Sequence, residues 1–297
     1  MNFLIMINPH GGRKLGPSLF NKVKPYFDSK NMVIDVIETC YAGHAQDIAN
    51  QIDLNKYDGL LAIGGDGTLN EVINGMLTRN DQKKIAIGII PGGSGNSFMH
   101  DLKLTDPIKA AKAIINNKIT SLDVASIKLN HIKKYSINMI GWGMVTEVGE
   151  KAEKYRWLGP SRYTIFSVLE VIRKKNRKAT LIINDKIIEN NFTFIIACNS
   201  IHVGKGMQMA PKAKLNDGLI DLIVVKGNVT RNRLLKVLPK LFKGTHLNEP
   251  EVEYFQTNHF SLITKNKEAL NIDGEILGTT PIEVKILPRA FDMFCQL

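Results

Sequence analysis

The first 120 residues alternate between short apolar runs and stretches with helical spacing. Residues 3–7, 33–37, 59–63 and 85–90 are compact apolar or β-branched segments of strand length. Between them, residues 18–27, 44–52, 68–77 and 107–116 place apolar side chains every three to four positions, predicting helices. Strands and helices in this alternation predict βαβ units and a parallel sheet covered on both faces. The pattern changes near Leu122. Residues 124–129, 136–140, 179–183, 192–197, 220–225, 260–264 and 282–286 read as strands, with helical patterns only at 162–175 and 231–243. Asn184-Asp185 between two apolar runs predicts a two-residue hairpin turn. The expectation is an α/β domain over 1–121 and a β-rich sandwich or barrel over 122–297. The last residues could return to the first domain. No repeat, low-complexity tract or linker interrupts the chain.

Composition adds little to this picture until charge is considered. Forty-four per cent hydrophobic and 23% charged residues suit globular cores. No apolar run reaches the ~18–20 residues of a membrane-spanning helix, and the apolar opening lacks the features of a signal peptide. Cys40, Cys198 and Cys295 are too scattered for a disulfide framework or a zinc site, which places the chain in a reducing cytoplasm. The net charge of +11 admits nucleotide phosphates, anionic lipid or nucleic acid as partners. A 7% aromatic content and the lack of a reader motif argue against nucleic acid.

Candidate chemistry is concentrated in three glycine-rich turns. The strand at 59–63 runs into Gly64-Gly65-Asp66-Gly67-Thr68-Leu69-Asn70-Glu71 and directly into a helix. Glycine lets a bulky anion approach the backbone, and the helix N-terminus offers unpaired amides and positive potential. Asp66 in such a place suits Mg²⁺ binding or proton acceptance; a tight turn with Asp66 satisfying nearby amides is the plainer alternative. Asn8-Pro9-His10-Gly11-Gly12-Arg13-Lys14 follows the first strand, and Pro91-Gly92-Gly93-Ser94-Gly95-Asn96 the fourth. In an open parallel sheet, ligands bind at the carboxyl ends of strands, so the three turns should converge on one phosphate-bearing ligand. No GxxxxGK[ST] string is present.

GGDGTLNEVING, NPHGG and PGGSGN resemble the diacylglycerol kinase catalytic-domain family, which includes sphingosine and ceramide kinases. Asp217-Gly218-Leu219-Ile220-Asp221, Asp273-Gly274-Glu275, Pro281-Ile282-Glu283-Val284 and Pro288-Arg289-Ala290 extend the resemblance along nearly the whole chain. The resemblance implies an ATP- and Mg²⁺-dependent lipid kinase. Its nucleotide site would use Asn8, Gly12, Arg13, Thr39, Gly65, Asp66, Gly67, Thr68, Glu71 and Ser94, with acceptor chemistry between the domains. Asp66 or Glu275 would accept the proton. Asp217 and the Leu219 carbonyl would hold a structural Mg²⁺; for the residues alone, a β-turn opening a strand explains DGLID nearly as well.

Glu153-Lys154-Tyr155-Arg156-Trp157-Leu158-Gly159-Pro160-Ser161-Arg162-Tyr163 resembles the sphingosine kinase segment whose two arginines reach the phosphates, which would give Arg156 and Arg162 that role. The aspartate that reads the substrate amine in that branch corresponds to Gly149, with Glu147 as the candidate substitute. The implied partner is a lipid at an anionic membrane surface, and a homodimer is compatible with the sequence. The basic amphipathic pattern at 231–243 fits a membrane face, or more simply a helix packed on its own core; the basic run 173–178 adds to the former. A NAD kinase-like enzyme and a non-catalytic nucleotide- or lipid-binding regulator are the alternative functions.

Overall fold

In the computed structural model every residue is described except Arg13, Ser94, Asn130, His131, Lys205 and Leu297; Arg156 and Pro160 are described without their side chains. The chain divides into two compact units, Met1–Val124 with Pro288–Leu297, and Ala125–Leu287.

The first unit contains β1 (Asn2–Ile7), α1 (Gly16–Asp28), β2 (Val33–Glu38), α2 (His44–Gln51), β3 (Gly59–Gly64), α3 (Asp66–Leu77), β4 (Ala86–Pro91), α4 (Ser97–Asp101) and α5 (Pro107–Ile115). β1 pairs in parallel with both β2 and β3, and β3 with β4, giving the order β2-β1-β3-β4. β3 and β4 are buried along their whole length, which explains their unbroken apolar sequences. The edge strand β2 is largely exposed and carries Asp35 and Glu38. The chain leaves β1 in one direction, to β2, and returns in the other, to β3. The topological switch therefore falls between β1 and β3, where Asn8 and Gly65 follow their strands. α2 and α3 pack on each other so closely that a Cβ at Gly75 would lie 2.3 Å from the Gln46 carbonyl oxygen.

The second unit is antiparallel. Its strands are β5 (Ile119–Leu129, which begins in the first unit), β6 (Ile132–Ser136), β7 (Met139–Gly143), β8 (Arg177–Ile183), β9 (Lys186–Cys198), the short pair β10 (His202–Val203) and β11 (Met207–Gln208), β12 (Ile220–Lys226), β13 (Val252–Thr257), β14 (His259–Thr264), β15 (Ala269–Ile272), β16 (Glu275–Thr279) and β17 (Ile282–Phe294). Its helices are α6 (Met144–Lys154), α7 (Arg162–Arg173) and α8 (Arg231–Val237). Alternate residues of β9 and β12 enter two different cores. Ile195, Ala197, Leu222 and Val224 join one lined by strands; Phe194, Ile196, Ile223 and Val225 join another closed by Met144, Val171 and Leu234 of the helices.

The predicted α/β unit and β-rich unit are both present. Asn184 (φ 46°) and Asp185 (φ 65°) form the expected hairpin between β8 and β9. Two segments differ from expectation. The single strand predicted at 136–140 is broken after Ser136, because the amides of Ile137, Asn138 and Met139 all donate to Asp273, at 2.9 Å each, and turn the chain there. The helix predicted over 231–243 is α-helical only to Val237 and continues as a tighter 3₁₀ turn containing Pro239, which cannot donate to the α-helical ladder. Leu234 and Val237 are buried in the core while Leu235 and Phe242 stay exposed, so most of this apolar pattern is core packing. The final segment pairs with the first unit through Met293, alongside Ile87 of β4.

Candidate functional site

α3 begins at Asp66 because Gly65 turns the chain out of β3, and it buries Leu69, Val72, Ile73 and Met76 against the sheet. The acidic side chain in its first turn complements the helix dipole. The three glycine turns meet around this helix start. Asn8 Nδ2 donates to Thr68 Oγ1 at 3.2 Å. A Cβ at Gly93 would lie 2.5 Å from the Gly65 Cα, and one at Gly12, whose φ is +56°, would lie 2.6 Å from the Gly92 carbonyl oxygen. Backbone thus lies directly against backbone, a distance only glycine allows. The convergence expected from the sequence is present for the turns after β1, β3 and β4. Arg13 and Ser94 lie outside the described residues.

Asp66 is held by the third turn. Its Oδ2 accepts from the Ser97 amide at 2.6 Å and its Oδ1 from the Phe98 amide at 3.1 Å, so the carboxylate ties the start of α3 to the start of α4. Each oxygen of a carboxylate has a second lone-pair direction, so these bonds are compatible with a metal or hydroxyl contact. Glu71 caps a neighbouring helix: its two oxygens accept from the amides of Gly43 (2.9 Å) and Ala45 (3.2 Å) at the start of α2. Thr39 is buried, and its amide donates to the Ile7 carbonyl at 2.8 Å, which places the end of β2 beside the end of β1. Gly67 is exposed, and a Cβ there would meet nothing within 4 Å. Among the described residues nothing covers this point of the first turn of α3, where amides lack intrahelical acceptors. Nucleotide phosphates fit this cradle.

In the second unit the DGE string forms a hairpin turn. Asp273 (φ 51°) and Gly274 (φ 94°) are the two loop residues, and Ile272 pairs with Glu275. Asp273 accepts from Ser136 Oγ at 2.7 Å as well as from the three amides named above, and Asn271 Oδ1 accepts from the Gly274 amide at 2.9 Å. Burial pushes the Asp273 carboxyl above its ordinary value, with the four hydrogen bonds pulling the other way. These contacts hold the turn rigidly and leave Glu275 exposed at the start of β16. The sequence singled out Glu275 for chemistry and missed the anchoring role of Asp273; the Asp-Gly dipeptide was the available signal.

Arg162 lies against its own unit. Its guanidinium is 3.4 Å from Glu153 Oε1 and stacks 4.9 Å from the Tyr163 ring, while the Tyr163 hydroxyl donates to Glu153 at 3.2 Å. The Arg156 side chain lies outside the description.

Gly149 has a packing explanation that the sequence did not reveal. It is buried in α6 where the helix meets β15, and a Cβ there would lie 2.1 Å from Asn271 Nδ2. Glu147, the candidate substitute, is ion-paired within its own unit. Arg177 holds it at 2.6 Å and Lys175 at 3.2 Å, so its charge is already met.

The DGLID turn supplies oxygen donors suited to a hard cation. Asp217 Oδ1 accepts from the Leu219 amide at 3.1 Å, and Asp221 is fully buried with Gln256 donating to its Oδ1 at 3.2 Å. Asp221 Oδ2 has no hydrogen-bond partner among the described residues. Burial, then the neighbouring Asp217 carboxylate, push Asp221 up to about 7. No cluster of three or more metal-binding side chains occurs among the described residues. Two carboxylates and the Leu219 carbonyl, completed by water, match what Mg²⁺ ordinarily takes from a protein.

The sign of the Asp221 effect follows. Its folded value lies above the unfolded 3.8, so its contribution to stability is fully present below that value and lost as pH rises through about 7. In chelator, Asp221→Asn should therefore raise Tm more at pH 8 than at pH 5. An equal difference at both pH values would remove Asp221 from the account.

Residues 2–127 match the diacylglycerol kinase catalytic domain model, and residues 138–295 match the YegS C-terminal NAD kinase beta sandwich-like domain model. The chain is 31% identical to Sphingosine kinase 1 of Arabidopsis thaliana, over 93% of this chain and 68% of that protein. It is 27% identical to Diacylglycerol kinase of Bacillus subtilis (strain 168), over 96% and 93% of the two chains. The crystal structure of a diacylglycerol kinase from Bacillus anthracis str. Sterne shares the fold, with a TM-score of 0.80 at 23% identity over 99% of this chain and 97% of that one. Glycine turns closing on a helix start, a parallel sheet and a C-terminal β sandwich are thus found where these relatives align, and the chain belongs to the diacylglycerol kinase catalytic-domain family, a family of lipid kinases.

Proposed function

We propose that the chain transfers the γ-phosphoryl group of ATP to the hydroxyl of a membrane-derived lipid. The observation that carries this reading is the open first turn of α3, enclosed by glycine turns, in a chain of lipid kinase family. Phosphoryl transfer asks for alignment and charge stabilisation more than covalent chemistry. The amides of the α3 start would hold phosphate oxygens. Mg²⁺ would offset charge on the phosphates, with Asp66 within its reach. Asp66 or Glu275 would take the acceptor's proton, and Arg156, together with Arg162 once turned from Glu153, would neutralise developing charge. A separate Mg²⁺ at Asp217, Leu219 and Asp221 would brace the second unit.

For the acceptor, a neutral hydroxyl head group such as that of diacylglycerol is favoured over a protonated long-chain base. The position expected to carry an amine-reading carboxylate is Gly149, closed by Asn271, and Glu147 is engaged by two cations. An assay with labelled ATP against diacylglycerol, monoacylglycerol, sphingosine, ceramide and NAD tests this. Transfer to diacylglycerol is expected to exceed transfer to sphingosine. The reverse ratio overturns the acceptor reading, transfer to NAD alone overturns the lipid reading, and ATP binding without transfer to any of them leaves a regulator.

The lipid has to be taken from a bilayer, and α7 offers a surface for that. Ile165, Leu169 and Ile172 lie on one exposed stripe of this helix, with Trp157 79% exposed just before it and Arg173, Lys174 and Lys175 at its end. No helix among the described residues is long and apolar enough to cross a membrane. Apolar side chains in the interface with cations on anionic lipid are the usual basis of peripheral binding.

Three outcomes are expected. Gly67→Leu should fold with stability equal to or above the parent, since leucine is a better helix former by roughly 0.5–1 kcal/mol, yet lose ATP binding measured by calorimetry. Asp66→Asn, which keeps one of two acceptors for the α4 amides, should lower transfer about 100-fold or more, with a small fall in Tm. Leu169→Asp should weaken co-sedimentation with phosphatidylserine vesicles without changing ATP affinity.

A further inference from the structure

Two cations of the second unit are fixed in place without a carboxylate. Around the end of α7 and the start of α8 several basic side chains are ion-paired. Arg173 meets Glu170 at 3.4 Å, Lys175 and Arg177 meet Glu147 at 3.2 and 2.6 Å, and Arg233 meets Glu249 at 2.9 Å and Glu251 at 2.7 Å. Lys174 and Arg231 stand among them with no ion pair to any described residue. Each is held instead by an acceptor on the other's segment. Arg231 Nε donates to the Ile172 carbonyl at 2.7 Å, and Lys174 Nζ donates to the Gly227 carbonyl at 2.6 Å and to Asn176 Oδ1 at 2.7 Å. The terminal amino groups of the guanidinium and the last hydrogen of the ammonium then have no acceptor among the described residues. Burial, and after it the nearby Arg231 charge, hold the Lys174 ammonium below its ordinary value.

The same two side chains line a cavity of about 370 Å³ together with Val229, Thr230 and Asn232. Thr230 Oγ1 accepts from the Arg233 amide at 3.3 Å, which leaves its own proton to donate. The unspent groups of Lys174, Arg231 and Thr230 are therefore donors, and their ligand has to bring acceptors. A guanidinium fork beside an ammonium is the donor set suited to phosphate oxygens. Charge narrows the choice. A phosphate monoester carries about −1.5 to −2 at pH 7 and matches two cations, whereas a singly charged diester leaves one of them uncompensated. All these residues belong to the second unit, and none is among those assigned to the nucleotide, the acceptor or Mg²⁺.

We infer that Lys174 and Arg231, with Thr230 beside them, form a binding site for a phosphate monoester group, carried either by free phosphate or by a head group in a membrane. The site does not depend on the kinase reading, and it stands even if the chain transfers no phosphate.

The test measures binding of inorganic phosphate to the full chain by calorimetry at fixed ionic strength, and co-sedimentation with phosphatidylcholine vesicles carrying either phosphatidate, a monoester, or phosphatidylglycerol, a diester. Lys174→Met, which keeps the stem and loses the charge, and Arg231→Gln are each expected to weaken monoester binding about ten-fold, while Lys174→Arg should retain most of it. Gly67→Leu, which obstructs the cradle of the first unit, should leave it unchanged. A loss confined to inorganic phosphate makes free phosphate the ligand; a loss that extends to phosphatidate vesicles makes it the head group. Monoester binding equal to the parent's in both Lys174→Met and Arg231→Gln overturns the site, as does binding abolished by Gly67→Leu alone. A parent chain that binds neither inorganic phosphate nor phosphatidate in preference to phosphatidylglycerol overturns it as well.

Discussion

The first unit depends on backbone approaching backbone at the ends of its strands. Gly65 and Gly93 lie so close that a Cβ on either would press on the other's Cα, and Gly12 lies equally close to the Gly92 carbonyl. This contact brings turns distant in sequence to one helix start and leaves amides there with no side chain above them. Asp66 secures the arrangement by accepting from both leading amides of α4. Without the glycines the strands could still pair, but their ends would be held apart and no anion-sized space would have peptide N–H groups on several sides.

The second unit uses an aspartate in a parallel way. Asp273 gathers the Ser136 hydroxyl and three successive amides, bends the chain between β6 and β7, and so holds the hairpin that presents Glu275. Asp66 and Asp273 both sit in short acidic motifs that look chemical. Both prove to be hubs of hydrogen bonding, and in each case the neighbouring exposed residue, Gly67 or Glu275, faces open space. Glu71 likewise spends both oxygens on the amides of α2. Carboxylates here build the site at least as much as they line it, since a loop rich in glycine has few other means of fixing its amides.

Electrostatics separates the remaining acidic groups. Glu147 and Glu153 stand beside arginines and are compensated within their own unit. Burial and the neighbouring Asp217 carboxylate push Asp221 up to about 7, and its Oδ2 has no hydrogen-bond partner among the described residues, so a cation suits the DGLID turn. At the end of α7, Arg173 and Lys175, ion-paired to Glu170 and Glu147, flank an exposed apolar stripe rather than a buried one.

Periodicity determined the alternating strands and helices of the first unit, the Asn184-Asp185 hairpin and the β-rich second unit, because each of these follows from local pattern and turn chemistry. The three glycine turns and the family resemblance were equally legible, since strand order puts such turns at one edge of a sheet. The rest needed contacts between residues far apart in the chain. Nothing local marks the break at Ile137, which exists because Asp273 reaches it from 136 residues away. Gly149 reads as a missing carboxylate until Asn271 is seen pressed against it. Nothing near Glu71 in the sequence shows that its oxygens accept from the amides of α2. Side-chain type and spacing are set by the sequence; which partner consumes each hydrogen-bonding group is decided only when the chain is folded.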